Sequence, residues 1–127
     1  MKILQSVIVK QVLTEKSKEE LLRRLTNDKS QYQKECDQLR FEMKKLEKAN
    51  KLQRTKIDQH FEKEIQHRLE KIQLVDFQIE QLHMLPLGSE LKEKEVQAIL
   101  EIKEGDCWDD INEKTIVIKD GMVVEIR

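Results

Sequence analysis

Glycine and proline are nearly absent from this sequence, which has three glycines and one proline in 127 residues. None of them falls between Ser17 and Leu85, so no residue in that stretch obliges a helix to stop. Aromatic residues are also scarce, at 4%, whereas charged residues reach 39%. A compact globule normally has more large apolar side chains, so this composition indicates long helices that each bury one apolar stripe.

Cysteine and long apolar runs are equally limited. The two cysteines, Cys36 and Cys107, lack the paired spacing of a disulfide framework or a metal finger, which favours a reducing cytoplasm. No apolar run is long enough to span a bilayer, and polar residues interrupt the apolar residues of 1–13. We therefore expect no membrane partner and no signal peptide.

The middle of the chain predicts a coiled coil. A Val- and Ile-rich strand is expected within 1–14, followed by a helical region over 17–85 with Ser17 as its N-cap and Glu20 as the capping partner. Apolar residues then recur at three- and four-residue steps in two stripes of different phase, and only Lys29 interrupts the first. The first stripe is Leu22, Leu25, Tyr32, Cys36, Leu39, Met43 and Leu46, and the second is Phe61, Ile65, Ile72, Val75, Ile79 and Leu82.

The change of phase favours a helical hairpin with its turn near 48–55, where the positions of the first stripe become polar. A single straight helix would run about 100 Å and would carry the first strand far from the last ones. A hairpin returns the chain to the first strand, which cannot stand alone. A homodimer of straight antiparallel helices would solve the same problem between two chains, and this alternative stays open.

The segment 89–127 predicts a small β-module. Pro86 and Gly88 end the helical region, and alternating apolar residues over 96–102 then indicate a half-buried strand. Asp120-Gly121 between two apolar runs is a strong hairpin signal. The expected fold class is therefore α+β, with a small antiparallel sheet or partly closed barrel made by the N-terminal and C-terminal strands and covered by Trp108.

Four stretches carry a resemblance to a known family. The segments VIVKQVLTEKSKEELL, KECDQLRFEMKKLEK, LHMLPLGSEL and IVIKDGMVVEIR resemble the YlqD family of uncharacterised bacterial proteins along the whole chain. The resemblance implies a bacterial, cytoplasmic protein. Members of the family tend to be encoded beside genes for ribosomal proteins and ribosome maturation, which implies a partner connected with translation. It carries over no functional residue.

The sequence offers no constellation typical of catalysis, of a cofactor or of a metal. His60, Glu64 and His67 share one helical face, but the second Glu-x-x-His unit of a di-iron bundle is missing. Acidic neighbours of Cys107 discourage thiolate chemistry. The acidic loop GDCWDDINE lacks the ligand spacing of a calcium loop. We therefore predict a protein that is not an enzyme, with no catalytic residue, no cofactor and no metal.

The distribution of charge is the most informative feature. Residues 43–57 hold six basic residues against Glu47 alone, a net charge of +5, whereas residues 89–114 have a net charge of −5. A basic turn on a helical hairpin could contact a phosphate backbone, although aromatic residues for base stacking are missing from the block, so such contacts would be insensitive to sequence. The candidate contacts are Lys44, Lys45, Lys48, Lys51, Arg54 and Lys56.

Two functions follow as hypotheses. The first is a non-enzymatic coiled-coil interaction or adaptor protein that binds protein partners, favoured by the acidic module and the overall net charge of −1. The alternative is an RNA- or ribosome-associated factor that binds phosphate through the basic turn. Lysines that merely keep the helices soluble would produce the same charge pattern.

Overall fold

The computed structural model describes residues 1–49, 51–111 and 114–127, without the side chain of Lys51. The chain forms two compact units, one made of 1–19 with 85–127 and the other of 20–84. The helices and strands, in chain order, are β1 (Lys2–Val12), α1 (Glu15–Ala49), a 3₁₀ turn (Lys51–Gln53), α2 (Arg54–Met84), β2 (Glu90–Glu101), a second 3₁₀ turn (Trp108–Ile111), β3 (Lys114–Lys119) and β4 (Met122–Ile126).

A four-stranded sheet, in the order β2-β1-β3-β4, unites the two ends of the chain. β1 pairs antiparallel with β2 and parallel with β3, and β3 pairs antiparallel with β4. The core of the sheet includes Val7, Val9, Leu13 and Val117, each at most 4% exposed. The predicted α+β fold with strands from both termini is confirmed.

The sheet is mixed, however, rather than antiparallel throughout. β1 lies between β2 and β3, so β2 and β3 are not neighbours in the sheet although they follow one another in sequence. The connection between β2 and β3 covers residues 102–113, which is longer than a hairpin loop and allows the chain to cross to the other side of β1. β3 therefore runs parallel to β1.

Helix α1 begins two residues before the predicted start. Thr14 is the N-cap: its Oγ1 accepts a hydrogen bond from the backbone N–H of Ser17 at 3.1 Å, and the Thr14 N–H donates to Ser17 Oγ at 2.8 Å. The prediction that Ser17 caps the helix is wrong, because Ser17 takes the third helical position of a reciprocal capping box whose first residue is Thr14. Ser17 is accordingly 2% exposed.

The two long helices form a hairpin. Contacts between them join Lys29 to Asp76 and Glu35 to Arg68, so the partner number falls as the α1 number rises, as an antiparallel pair requires. Helix α1 ends at Ala49 and α2 begins at Arg54, within the turn predicted for 48–55; Asn50 lies outside the described residues. The hairpin is confirmed, and the straight-helix alternative is wrong because the two helices pack within one chain.

The apolar stripes occupy the inner faces of the hairpin. Cys36, Phe61, Ile65, Val75 and Leu82 are buried. The other predicted stripe residues are half-buried except Leu46, which is 40% exposed. Leu46 was wrongly placed in the stripe, because the inward position of the last turns of α1 is occupied by half-buried Glu47 instead.

A two-residue turn with positive φ angles closes the β3–β4 hairpin. Asp120 and Gly121 have φ angles of 48° and 80°, the conformation that a tight turn between twisted strands requires. Asp120 Oδ1 also accepts a hydrogen bond from Thr14 Oγ1 at 2.7 Å. The same carboxylate therefore ties the β3–β4 turn to the start of α1.

Candidate functional site

The predicted basic residues come together around the turn of the hairpin. Lys44, Lys45 and Lys48 lie in the last turns of α1, and Arg54 and Lys56 lie in the first turn of α2. All five side chains are exposed. Lys51 belongs to the 3₁₀ turn between the helices, and its side chain lies outside the described residues. We call this end of the hairpin, residues 44–56, the basic tip.

Most of the positive charge at the basic tip is free of ion pairs. Arg54 lies 3.9 Å from the carboxylate of Glu47. No carboxylate in the described part of the chain forms an ion pair with Lys44, Lys45, Lys48 or Lys56. These ammonium groups therefore keep their full charge available for an anion from outside the protein.

The helix dipole of α2 adds to this positive potential. The first turn of α2 has no acidic residue, whereas helices commonly place Asp or Glu there to balance the partial positive charge of the N-terminus. Here Arg54 and Lys56 occupy that turn. Both the backbone and the side chains at the start of α2 consequently favour a negatively charged ligand.

A pair of carboxyl groups lies beneath the tip. Asp58 on α2 lies beside Glu47 on α1, and a hydrogen bond between the two carboxyl groups, together with partial burial, raises the pKa of Glu47. Arg54 and Lys44 are the nearby cations that act in the opposite direction. Asp58 Oδ1 is shielded from solvent and has no hydrogen-bond partner among the described residues. Glu47, the single acidic residue of the basic block, therefore holds its proton to a higher pH than an ordinary carboxyl group does.

One aromatic residue beside the tip was missed. Phe41 is 64% exposed and lines a shallow depression with Lys44, Lys45, Lys48 and Ala49. Residues 43–57 hold no aromatic residue, but Phe41 lies just before them in sequence. The signal that could have found it is helical spacing: Phe41 is three, four and seven residues before the three lysines, so all four share one face.

Arg68, the neighbour of His67 on α2, forms ion pairs with one carboxylate of each helix. Arg68 Nη1 lies 2.5 Å from Glu64 on the same helix, and Arg68 Nε lies 3.5 Å from Glu35 on α1. The hydrogen bond from Arg68 lowers the pKa of Glu64. His60 and His67 are exposed. Over residues 1–49, 51–111 and 114–127, no three His, Cys, Asp or Glu side chains are grouped as a metal site would require.

The two cysteines and the acidic loop lie outside the basic tip. Cys36 is buried with its Sγ 4.0 Å from the Ile65 carbonyl oxygen, whereas Cys107 is exposed, and both are free thiols. In the loop, Asp106 accepts a hydrogen bond from the Lys103 N–H at 2.8 Å. Trp108 is 61% exposed, so the expectation that it covers the sheet is wrong. It starts a short 3₁₀ turn that presents the indole to solvent, and Asn112 and Glu113 lie outside the described residues.

The sheet unit presents apolar side chains along β4. Met122, Val123, Val124 and Ile126 are all more than half exposed, and β4 is an edge strand. A further apolar pair, Leu4 with Ile99, lies directly opposite across β1 and β2 and is at least 67% exposed.

Among the described helices, none has both the length and the apolar character needed to cross a bilayer.

Comparison with known proteins identifies the family. The family model described as YlqD protein matches residues 1–127. The chain belongs to the YlqD family. This agrees with the resemblance carried by the four sequence segments.

Two known proteins are similar to this chain, one in sequence and one in structure. The curated "Uncharacterized protein YlqD" of Bacillus subtilis (strain 168) is 50% identical, over 100% of this chain and 98% of the relative. The crystal structure of a protein of unknown function from Synechococcus sp. WH 8102 superposes with a TM-score of 0.84, at 21% identity, over 100% of this chain and 94% of that one. At that identity the likeness shows the fold alone. The fold of this YlqD-family chain therefore has a solved counterpart.

Proposed function

We propose that this YlqD-family protein is a non-enzymatic RNA-binding protein that contacts the phosphate backbone with its basic tip. The observation that carries the proposal is the set of five exposed basic side chains gathered at one turn, four of them without an ion pair among the described residues. Phosphate contacts of this kind supply most of the affinity of sequence-independent binding.

The two helices contribute to the tip in complementary ways. Lys44 and Lys48 are one helical turn apart on α1, about 6 Å along the axis. Arg54 and Lys56 approach from the N-terminus of α2, where the helix dipole also attracts anions. A phosphate chain passing the turn therefore meets positive charge from both helices.

Three carboxylates with lowered pKa values belong to ion pairs. The hydrogen bonds of Arg68, Arg127 and Lys92 lower the pKa of Glu64, Glu90 and Glu95 respectively, each within an ion pair. Glu64 belongs to the unit 20–84, whereas Glu90 and Glu95 belong to the unit of the sheet. Ion pairs of this kind hold a structure together, whereas catalytic groups need a shared cavity.

The test is equilibrium binding of a fluorescently labelled RNA at low salt, followed by anisotropy. The variant Lys44→Glu, Lys45→Glu, Lys48→Glu should bind the RNA much more weakly than the wild type does. The matched control is Arg23→Glu, Arg24→Glu, Lys34→Glu, which reverses three exposed charges elsewhere on α1. Glu is as good a helix former as Lys or Arg, so circular dichroism should show equal helicity. Equal binding by the two variants, or no binding by the wild type, would refute the proposal.

A second candidate function, that of an adaptor for protein partners, rests on the exposed apolar residues of β4. An edge strand with unpaired backbone groups and exposed Val and Ile side chains can add a strand from a partner. The test is affinity purification from a bacterial lysate treated with nuclease. The adaptor function predicts a partner that survives nuclease and is lost when Val124→Lys replaces the wild type. A partner lost with nuclease alone would favour the RNA-binding function.

We further propose a coiled-coil hairpin and a cytoplasmic location. Apolar stripes at three- and four-residue steps, with buried members on both helices of the hairpin, are the pattern of coiled-coil packing. The two free thiols are typical of a reducing compartment. Light scattering of the purified protein would show whether a homodimer forms in addition to the hairpin within each chain.

A further inference from the structure

Phe41 has no role in the packing of the hairpin. The apolar stripe of α1 in this region is formed by Cys36, Leu39 and Met43. Phe41 is two residues from both Leu39 and Met43, which places it about 200° around the helix axis, on the outer face. Its 64% exposure agrees with that position. A phenylalanine on the outer face of a helix stays hydrated and gains little of the free energy that burial of its ring would give.

The surroundings of Phe41 define what it could contact. Lys44, Lys45 and Lys48 lie on the same helical face, and with Phe41 and Ala49 they line one shallow depression. None of the three lysines forms an ion pair with a described carboxylate. An exposed aromatic ring beside unpaired cations matches a ligand that has both a flat apolar face and negative charge.

An unpaired nucleotide has that chemistry, whereas a nucleotide within a duplex does not. Aromatic side chains bind single-stranded RNA by stacking on bases, and cationic groups follow its backbone. In an RNA duplex the faces of the bases are already stacked on one another, so an aromatic ring cannot reach them. The basic tip alone would bind either form, because both carry phosphates.

We propose that Phe41 stacks on an unpaired base while Lys44, Lys45 and Lys48 contact the neighbouring phosphates, so that the ligand of the tip is single-stranded RNA. This inference rests on the proposed RNA-binding function and narrows its ligand. Every base has a π face, so the site selects unpaired RNA over duplex RNA without selecting a sequence.

The experiment compares the affinities of one single-stranded RNA and of the duplex formed with its complement. Phe41→Ala should weaken single-strand binding about five- to tenfold, which corresponds to the lower part of the range for one stacked base. Duplex binding should remain unchanged, because the lysines are intact. The matched control is Phe77→Ala: Phe77 is 54% exposed on α2 and has no Lys or Arg three or four residues away. This control should bind both RNAs as the wild type does.

A spectroscopic arm detects stacking directly. Phe41→Trp in a Trp108→Phe background places a single tryptophan at the tip. Its fluorescence should be quenched by the single-stranded RNA and not by the duplex.

The possible outcomes separate this inference from the proposed function. Absence of any RNA binding by the wild type would refute both. RNA binding by the wild type with equal single-strand affinity in Phe41→Ala, or with no quenching at position 41, would refute the stacking inference and leave the phosphate-binding function standing. Equal losses in Phe41→Ala and Phe77→Ala would also refute it.

Discussion

Lys29 Nζ lies 2.6 Å from Asp76 Oδ1, so the one charged residue that interrupts the apolar stripe of α1 is paired with a carboxylate of α2. Next along the hairpin, the Lys71 ammonium lies 5.4 Å from the ring centroid of Tyr32. Further along, Arg68 bridges to Glu35. Three polar contacts between the helices therefore hold the same register as the apolar stripes.

The Lys29–Asp76 ion pair should fix the register between the two helices and add little to the free energy of unfolding. Both side chains are partly exposed, at 33% and 47%, so a double-mutant cycle of Lys29→Ala and Asp76→Ala should give a coupling of about 0.2–1 kcal/mol. Lys29→Leu should raise the free energy of unfolding, because it continues the stripe. Urea unfolding followed by helical circular dichroism measures both effects. A coupling of zero would contradict a stabilising role for the pair.

Burial along α2 predicts that two apolar residues contribute very differently to the free energy of unfolding. Ile65 is 8% exposed and Leu74 is 56% exposed. Ile65→Ala should lower the free energy of unfolding by about 2–3 kcal/mol, near the low end for core residues because the hairpin is only two helices thick. Leu74→Ala should change it by less than about 0.5 kcal/mol. Chemical denaturation of both variants is the check, and similar losses would mean that the inner face has been misassigned.

The carboxyl pair beneath the tip predicts an unusual dependence of stability on pH. Since the pKa of Glu47 is raised above 4.5, the folded protein holds this proton more tightly than the unfolded chain does. Its contribution to stability is therefore lost as the pH rises from 4.5 through the raised pKa. Glu47→Gln should raise stability at neutral pH and flatten the profile in that interval.

The control for the loss of one negative charge is Glu62→Gln, an exposed position on α2. Thermal melts between pH 4 and 8 would compare the two variants with the wild type. If the wild type instead gains stability relative to Glu47→Gln as the pH rises through this interval, the predicted sign is wrong.

Arg127 predicts the opposite pH dependence in the sheet unit. It forms ion pairs with Glu90 and Glu125, and its hydrogen bond lowers the pKa of Glu90. The stabilisation is present above the ordinary pKa of 4.5 and is lost as the pH falls through the lowered pKa. Arg127→Ala should lower the free energy of unfolding at neutral pH, because it removes both ion pairs. The difference from the wild type should vanish in acid, and a constant difference would contradict this account.

Much of the fold was predictable because it depends on local periodicity. The change of phase between the two stripes placed the turn near 48–55, although no glycine or proline marks it. The Asp120-Gly121 dipeptide likewise predicted the β3–β4 turn. In each case the residues that carry the signal lie within a few positions of the feature.

Three features were predicted wrongly. The order of strands places β1 between β2 and β3, and no local pattern reports which strand lies beside which. Thr14 was missed as the cap because Ser17 presents an equally good capping side chain three residues later. Trp108 was expected to cover the sheet, but it lies in a short turn that exposes it to solvent.

The candidate site was predicted in part. The lysines of the basic tip are evident from composition, since charge accumulates in one stretch. Phe41 lies just outside that stretch and becomes visible only when the helix brings it onto the lysine face. The raised pKa of Glu47 depends on its contact with Asp58 across the hairpin, which sequence alone does not give.

The salt dependence of RNA binding tests the central claim most directly. For single-stranded RNA, the logarithm of the binding constant should fall with the logarithm of salt concentration by about 0.7 for each phosphate contact. Removing three contacts with Lys44→Glu, Lys45→Glu, Lys48→Glu should therefore reduce the slope by about two. The control Arg23→Glu, Arg24→Glu, Lys34→Glu should keep the wild-type slope. If the tip variant keeps the wild-type slope and affinity, the basic tip does not contact phosphate and the account is contradicted.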